Sequence, residues 1–300
     1  MKYTITQFKK DFPNDDACLE YILKARFNSF KCPNCGKKEL YRVKNRKSYA
    51  CSCGYQIHPV SNTIFHKSAT TLTNWFFAVY LMSKSKNGVS AKELQRHLGV
   101  TYKTAWRIGK KIRGLMKQDK NKLEGTIEAD ETYIGGVKRL KPSQRRDTGK
   151  ATVMGIVKRG GGIRSKKIPA QQTHILLGML ADNVKFGSRL ITDESKIYEK
   201  AGRIGLFHDA VNHSAKEYVR DDVYTNTIEG FFSQLKRSID GTYHSISFKH
   251  LQSYVDEFAY HYNHRFSSVS LFHDLLYRLC GLPYEGGQKI PSFVGSPVSS

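Results

Sequence analysis

Two pairs of closely spaced cysteines place the strongest constraint on how the start of this chain can fold. Cys32 and Cys35 lie in Cys-Pro-Asn-Cys-Gly, and Cys51 and Cys53 lie in the shorter Cys-Ser-Cys-Gly. Paired thiolates separated by a short basic hairpin suit a tetrahedral structural zinc ion, whereas redox pairs or plain buried cysteines are the alternatives. A chain without a secretory leader favours metal over disulfides. We predict a zinc ribbon over residues 31–68 that binds Zn²⁺.

The charge of the chain indicates a polyanionic partner. Lysine and arginine number 49 against 26 acidic residues, which gives a formal net charge of +23. Each phosphate that a basic side chain neutralises releases a counterion, so DNA is the expected partner. The sequence contains no apolar run of about 18 residues and begins without a long apolar segment. We therefore expect no membrane partner and a cytoplasmic, nucleoid-associated protein.

A helix-turn-helix is predicted within residues 69–120, after a helical segment at residues 1–30. Ser90 and Glu93 fit a capping box at the start of one helix. Gly99 ends that helix and Thr101 starts the next, which is basic. An ordinary helical hairpin is the alternative. The candidate DNA-binding residues on the second helix are Tyr102, Lys103 and Arg107.

A third region, residues 123–265, changes to a pattern of strands followed by helices. Runs rich in β-forming residues occur at 125–134, 152–157, 174–180 and 189–192. The glycines at 160–162 indicate a tight turn, and residues 226–240 and 247–263 are predicted helices. This pattern predicts an α/β domain. Residues 266–300 are expected to form a C-terminal helix and a loose tail.

Three acidic residues of this α/β region form the candidate catalytic site. Asp130 follows Ile127 and Ala129 at the alternating spacing of a strand, Asp193 ends a second strand, and Glu229 lies on a helix. Carboxylates held close together repel one another unless a cation intervenes, and Mg²⁺ prefers oxygen ligands. Two such cations can activate a nucleophile and stabilise the departing oxygen of a phosphodiester. We predict that the three acids bind Mg²⁺ or Mn²⁺.

Neighbouring acids leave the first two ligands open at this stage. Glu128 and Glu131 flank Asp130, and Glu194 follows Asp193. Alternation along a strand places Glu128 on the face of Asp130 and Glu131 on the opposite face. Glu128 is therefore the stronger rival of Asp130.

The helix that carries Glu229 also allows a structural interpretation. Asn226 and Glu229 fit the capping box Asn-x-x-Glu, in which the glutamate only closes the helix start. Lys236 follows Glu229 by seven residues, two helical turns, and therefore shares its face. Lys236 and Arg237 either bind a DNA phosphate or are ordinary surface residues.

Taken in order, these motifs are similar to those of a known protein family. From about residue 5 to residue 265 the chain resembles insertion-sequence transposases of the DDE superfamily, in the group with an N-terminal zinc ribbon. The stretches that carry the resemblance are Cys32-Pro-Asn-Cys-Gly36, Asn62-Thr-Ile-Phe65, Thr101-Tyr-Lys-Thr-Ala-Trp106, Glu128-Ala-Asp-Glu-Thr-Tyr-Ile-Gly-Gly136 and Asn226-Thr-Ile-Glu229.

The resemblance implies a fold, an activity and a set of metal ligands. It implies a ribonuclease-H-like mixed sheet flanked by helices, hydrolysis at transposon ends, and strand transfer into target DNA. It implies at least a homodimer, because two ends are processed together. Asp130, Asp193 and Glu229 take the metal-ligand role, with Asn226 as the rival for the third position. The alternatives are a DNA-binding regulator with a decayed catalytic domain and a nuclease of the same fold.

Overall fold

The computed structural model describes residues 3–135, 151–169, 171–193, 197–211 and 222–281. The chain divides into two compact units. The first comprises Met1–Ser85, Ala91–Leu115 and Ser267–Ser300, and the second comprises Lys86–Ser90 and Met116–Phe266. Within the described ranges, every helix is too short or too polar to cross a membrane.

The secondary structure runs from a helical start through two sheets to a helical end. In chain order the elements are α1 (Ile5–Asp11), α2 (Asp15–Phe27), β1 (Tyr41–Arg42), β2 (Tyr49–Ala50), β3 (Gln56–Ile57), α3 (Leu72–Lys84), α4 (Ala91–Leu98), α5 (Tyr102–Arg113), β4 (Thr126–Ile134), β5 (Ala151–Lys158), β6 (Ile163–Ile168), α6 (Thr173–Asn183), β7 (Arg189–Asp193), a 3₁₀ helix (Tyr198–Ile204), β8 (Phe207–Val211), α7 (Asn226–Ser238), a π-helical turn (Ile239–Tyr243), α8 (Leu251–Asn263) and α9 (Leu271–Leu279).

The first unit has an aromatic core formed by its helices. The ring of Phe12 packs 4.8 Å from that of Phe76, and the ring of Tyr3 stacks 4.9 Å from that of Phe272. Asp15 begins α2 and also accepts hydrogen bonds from the backbone N–H groups at residues 72 and 73, where α3 begins. Its carboxylate thereby satisfies donors that a helix start leaves unpaired. The antiparallel sheet β1-β2-β3 belongs to the same unit.

A short turn joins α4 to α5 in this unit. Gly99 adopts φ of +63°, a left-handed conformation that glycine tolerates at a helix end. Thr101 then caps α5, because its side chain accepts a hydrogen bond of 3.3 Å from the N–H of Thr104. The side chains of Tyr102, Lys103 and Arg107 are exposed on α5.

The second unit is built on a five-stranded mixed sheet with the order β6-β5-β4-β7-β8. The pairs β4–β5 and β5–β6 are antiparallel, whereas β4–β7 and β7–β8 are parallel. The predicted glycine turn at 160–162 closes the β5–β6 hairpin, where the N–H of Lys158 donates to the carbonyl of Gly162 over 2.9 Å. Helices flank the sheet on both faces, so the predicted α/β class with a mixed sheet is confirmed.

The two faces of this sheet carry separate cores. On one face, apolar residues of β4 and β5 pack against α6, with Ile127, Met154 and Leu180 fully buried. On the other face, β5 packs against α7 and α8. Ile228, Phe232 and Leu235 line the buried side of α7, and Ile239, directly after the helix, continues this buried stripe, as their helical spacing predicts.

The structure differs from the sequence prediction at one predicted strand and at two strands that were not predicted. Residues 174–180 were expected to be a strand but belong to α6. Leu176, Met179 and Leu180 are buried at spacings of three and four, which suit a helix face rather than an alternating strand. Strands β6 and β8 were not expected, since β6 contains two consecutive lysines and β8 contains histidine and aspartate.

Gly155 on β5 lets α7 approach the sheet closely, and replacing it should destabilise the protein. A Cβ there would lie 2.5 Å from Cδ1 of Ile228 and 2.9 Å from Cζ of Phe232. We expect Gly155→Ala to lower the free energy of unfolding by about 1–3 kcal/mol, as overpacking does. Urea unfolding measures this change.

A second glycine provides the control for that measurement. Gly178 is exposed in α6, and a Cβ there meets no atom within 4 Å. Gly178→Ala should stabilise the protein by up to about 1 kcal/mol through helix propensity. Equal unfolding midpoints for Gly155→Ala and the unmodified protein would contradict the close packing of α7 on β5.

Candidate functional site

The four paired cysteines converge on one point in the first unit. The Sγ atoms of Cys32 and Cys53 are 3.4 Å apart, as are those of Cys35 and Cys51. All four Sγ atoms lie within 4.8 Å of one another. Tetrahedral Zn²⁺ with Zn–S bonds of about 2.3 Å separates its sulfur ligands by roughly 3.8 Å. The donor set and its spacing therefore fit a structural Zn²⁺.

The shorter second pair is accommodated by a tighter turn. In the first pair, the N–H of Gly36 bonds to the carbonyl of Cys32, four residues earlier. In the second, the N–H of Gly54 bonds to the carbonyl of Cys51, three residues earlier. Both glycines have positive φ, +73° and +89°. One fewer residue thus still presents two sulfurs to the same centre.

Backbone donors and sulfur contacts shift the pKa values of two of these thiols in opposite directions. The backbone N–H of Cys53 lowers the pKa of Cys51 to about 7. The backbone N–H at Lys37 lowers the pKa of Cys35, but hydrogen bonds to the other thiols outweigh it and raise the pKa to about 12. Since the thiolate is the metal ligand, the lowered pKa of Cys51 favours zinc binding at neutral pH.

In the second unit, the parallel pairing of β4 with β7 leads along both strands towards Asp130 and Asp193. These parallel strands pair Ile127 with Leu190 and Glu128 with Ile191. Two residues further along both strands, the same register reaches Asp130 and Asp193. Neighbouring strands lie about 4.8 Å apart, and paired residues of a parallel ladder point to the same face. Both aspartates are half-buried, so they remain accessible to solvent.

Helix α7 carries Glu229 onto the same face of the sheet. Asp130 pairs with Gly155 on β5, and the space above this glycine is filled by Ile228 and Phe232 of α7. Glu229 directly follows Ile228 and is exposed. The sheet and helix therefore place all three predicted acids on one side of the second unit.

The start of α7 differs from the capping box suggested by its sequence. Thr225 is the N-cap, and Asn226 is already the first helical residue. The hydroxyl of Thr225 donates to Oε1 of Glu229 over 2.6 Å. The Asn226–Glu229 capping box is therefore wrong, because the helix begins one residue earlier than that motif requires. Asn226 is exposed, one turn before Glu229.

Glu131 faces the opposite side of the sheet, as alternation predicts. Its carboxylate accepts hydrogen bonds from the hydroxyl of Tyr198 and from Nε2 of Gln171. Burial raises the pKa of Glu131 to about 7, opposed by the Tyr198 bond and reinforced by the negative charges of Asp130 and Asp193.

Glu128, the other rival of Asp130, is fully buried and accepts hydrogen bonds from Arg159, just after β5, and from the start of α7. Nε of Arg159 donates to its Oε1 over 2.7 Å. The backbone N–H groups of Thr227 and Ile228 donate to Oε2 over 2.8 and 3.1 Å. No signal in the sequence indicated this role, because the helix start that Glu128 binds lies 99 residues later.

Of the other residues singled out in the sequence, some lie in the part of the chain that the structure describes and some lie outside it. Lys236 and Arg237 are exposed near the end of α7. Glu194 lies outside the described residues, as does the basic segment 138–146. Among the side chains that are described, the metal-compatible group of ligand atoms is formed by the four cysteines, and the three acids do not form such a group.

Family models of known proteins match a stretch of each of the two units. Residues 122–263 match the ISXO2-like transposase domain, and residues 13–56 match the transposase zinc-ribbon domain. A protein of Halobacterium salinarum named "Uncharacterized protein in transposable element ISH50" is 28% identical over 253 residues, which cover 76% of this chain and 84% of that protein.

Among solved structures, one match comes from a viral assembly. It is a chain of the simian T-cell lymphotropic virus intasome in complex with PP2A regulatory subunit B56 gamma. The chains are 12% identical, with 74% of this chain and 78% of that chain covered. The TM-score is 0.30, a value at which the likeness carries no argument.

Proposed function

Because this chain belongs to the insertion-sequence transposases with an N-terminal zinc ribbon, we propose that it is a DNA transposase. It binds the ends of its own mobile element and catalyses metal-dependent phosphodiester hydrolysis followed by strand transfer. The observation that most supports this proposal is the parallel register of β4 and β7, which pairs Glu128 with Ile191 and, continued by two residues, would bring Asp130 next to Asp193. Glu229 is added on the same face by α7.

The three carboxylates suit the binding of divalent metal beside a DNA backbone. Asp130 and Asp193 are half-buried and Glu229 is exposed, so a phosphate can approach them from solvent. Mg²⁺ or Mn²⁺ bound there would supply activation of the nucleophile and stabilisation of the departing oxygen. Asp130 and Asp193 on the sheet and Glu229 on the helix would hold the metal. Asn226 is the alternative oxygen ligand at the third position.

Basic side chains on two helices are proposed to bind DNA. On α5, Tyr102, Lys103 and Arg107 are exposed, which places a basic, partly aromatic surface on the second helix of the α4–α5 pair. On α7, Lys236 and Arg237 are exposed two turns after Glu229. They are positioned to hold phosphates near the acids. A homodimer or higher oligomer would bring two element ends together.

Strand joining in vitro tests the proposed function. Purified protein with Mg²⁺ should nick DNA that carries its own element's ends and join the freed 3′-hydroxyl ends to a target plasmid. Chelation of Mg²⁺ should stop both steps. Products are resolved by gel electrophoresis and sequencing of the junctions.

The same assay separates the alternatives. Specific binding to the ends without cutting at any Mg²⁺ or Mn²⁺ concentration would favour a DNA-binding regulator. Cutting without joining would favour a nuclease of the same fold. Scrambled end sequences are the matched control for both steps.

A further inference from the structure

Glu128 is a charged side chain at the interface between the sheet and a helix, and none of its surface is exposed. It lies on β4 two residues before Asp130, on the same face of the sheet. A carboxylate is costly to bury unless donors and an opposite charge compensate it. The hydrogen-bond donors around Glu128 therefore indicate which structural element its carboxylate stabilises.

Those donors come from the first turn of α7. The backbone N–H groups of Thr227 and Ile228 donate to Oε2, and the hydroxyl of Thr227 donates to Oε1 over 2.8 Å. The positive end of the helix dipole and its unpaired N–H groups favour an anion at this place. The structure shows no side-chain cap from Thr225, the N-cap residue. Glu128 thus provides the cap from another element.

Arg159 extends this connection to the segment that leads into α7. Its Nε pairs with Glu128, while its terminal nitrogens donate to the carbonyls of Asp222 and Tyr224 over 2.6 and 2.7 Å. The guanidinium also stacks 3.6 Å from the ring of Tyr224. Arg159 lies just after β5, so one arginine fixes the approach to α7 against the sheet.

We propose that Glu128, with Arg159, is a positioning residue that sets the distance from Glu229 to Asp130 and Asp193. This inference rests on the proposed metal-dependent function. Glu128 and Asp130 are two residues apart on one strand, and Thr227 and Glu229 are two residues apart on one helix. A contact between Glu128 and Thr227 therefore fixes both members of the acid pair that bridges sheet and helix.

Glu128→Gln tests this role in the full-length protein. The amide keeps the shape but turns an NH₂ group towards donors, either Arg159 or the α7 N–H groups, and removes the charge. We expect hydrogen exchange of a peptide covering the start of α7 to accelerate at least tenfold, with exchange in α8 unchanged. We also expect Mn²⁺ affinity at the acid site, measured by calorimetry with zinc already bound, to fall at least tenfold. DNA binding should be unaffected.

Glu124→Gln is the matched control for the loss of a paired carboxylate. Glu124 pairs with Lys185 at the surface, and 64% of its side chain is exposed. In Glu124→Gln, hydrogen exchange at the start of α7 and Mn²⁺ affinity should equal those of the unmodified protein. Unaltered Mn²⁺ affinity in Glu128→Gln would overturn the positioning role, even if α7 exchanged faster, because Glu128 would then support only the fold.

A milder variant covers the case in which Glu128→Gln does not fold. Thr227→Val removes one donor to Glu128 and should weaken Mn²⁺ affinity about threefold or more. Thr173→Val, at the first position of α6, is its control.

The proposed function and the positioning role can be contradicted separately. If the unmodified protein does not join strands, the proposed transposase function is wrong. Normal joining together with unchanged Mn²⁺ affinity in both variants removes only the positioning role.

Discussion

Asp193→Asn is expected to reduce strand joining on the order of 10³-fold, the scale seen when a group that stabilises transition-state charge is removed. The amide has the shape of the carboxylate but lacks its negative charge, so it binds Mg²⁺ poorly. Asp193 ends β7, the strand that pairs in parallel with β4, which carries Asp130. The α4–α5 surface belongs to a separate unit, so affinity for the element's ends should remain within about twofold.

Joining rates and DNA affinity must be measured on the same preparations. Asp182→Asn provides the matched control, since Asp182 is exposed on α6 of the same unit. It should join strands at the unmodified rate. Strand joining by Asp193→Asn at a normal rate would show that this residue is not a metal ligand.

Cys35→Ser is expected to release zinc and unfold the ribbon. Structural zinc sites contribute apparent binding free energies of about 10–16 kcal/mol, and small zinc domains are often unfolded without the metal. The ribbon has little else to stabilise it, because β1, β2 and β3 contain two residues each. Protons compete for the thiolates, so lower pH should weaken zinc binding further.

Metal analysis and proteolysis measure this loss. The unmodified protein should contain one zinc per chain, and Cys35→Ser should contain none and be cleaved rapidly within residues 31–68. Cys280→Ala is the control, because Cys280 is the buried C-cap residue of α9 and does not belong to the four-cysteine cluster. A Cys35→Ser protein that retains one tightly bound zinc would contradict the four-cysteine site.

The sequence predicted the parts of this molecule that depend on local chemistry. Two cysteine pairs indicated a metal site, although the spacing of the second pair left its geometry open; the structure shows that a tighter turn compensates. The glycine turn at 160–162 and the buried stripe of α7 follow from conformational freedom and helical spacing. The strand alternation around Asp130 also indicated correctly that Glu131 faces away from it.

The parts that depend on distant contacts could not be predicted. An apolar run such as 174–180 suits a strand or a helix equally well until its packing partner is known. Glu128 resembled a metal ligand because nothing near it in sequence shows that a helix start will occupy its oxygens. The side-by-side placement of Asp130 and Asp193 requires the strand order, which no local pattern contains.

The parallel pairing of β4 with β7 has a consequence for how this protein can change over time. The register depends on the two strands alone, so insertions or deletions in the chain that connects them leave Asp130 and Asp193 as neighbours. A slip of one residue within either strand would instead turn its aspartate to the other face. Related proteins should therefore vary more in the lengths of the loops between β4 and β7 than in the lengths of these two strands.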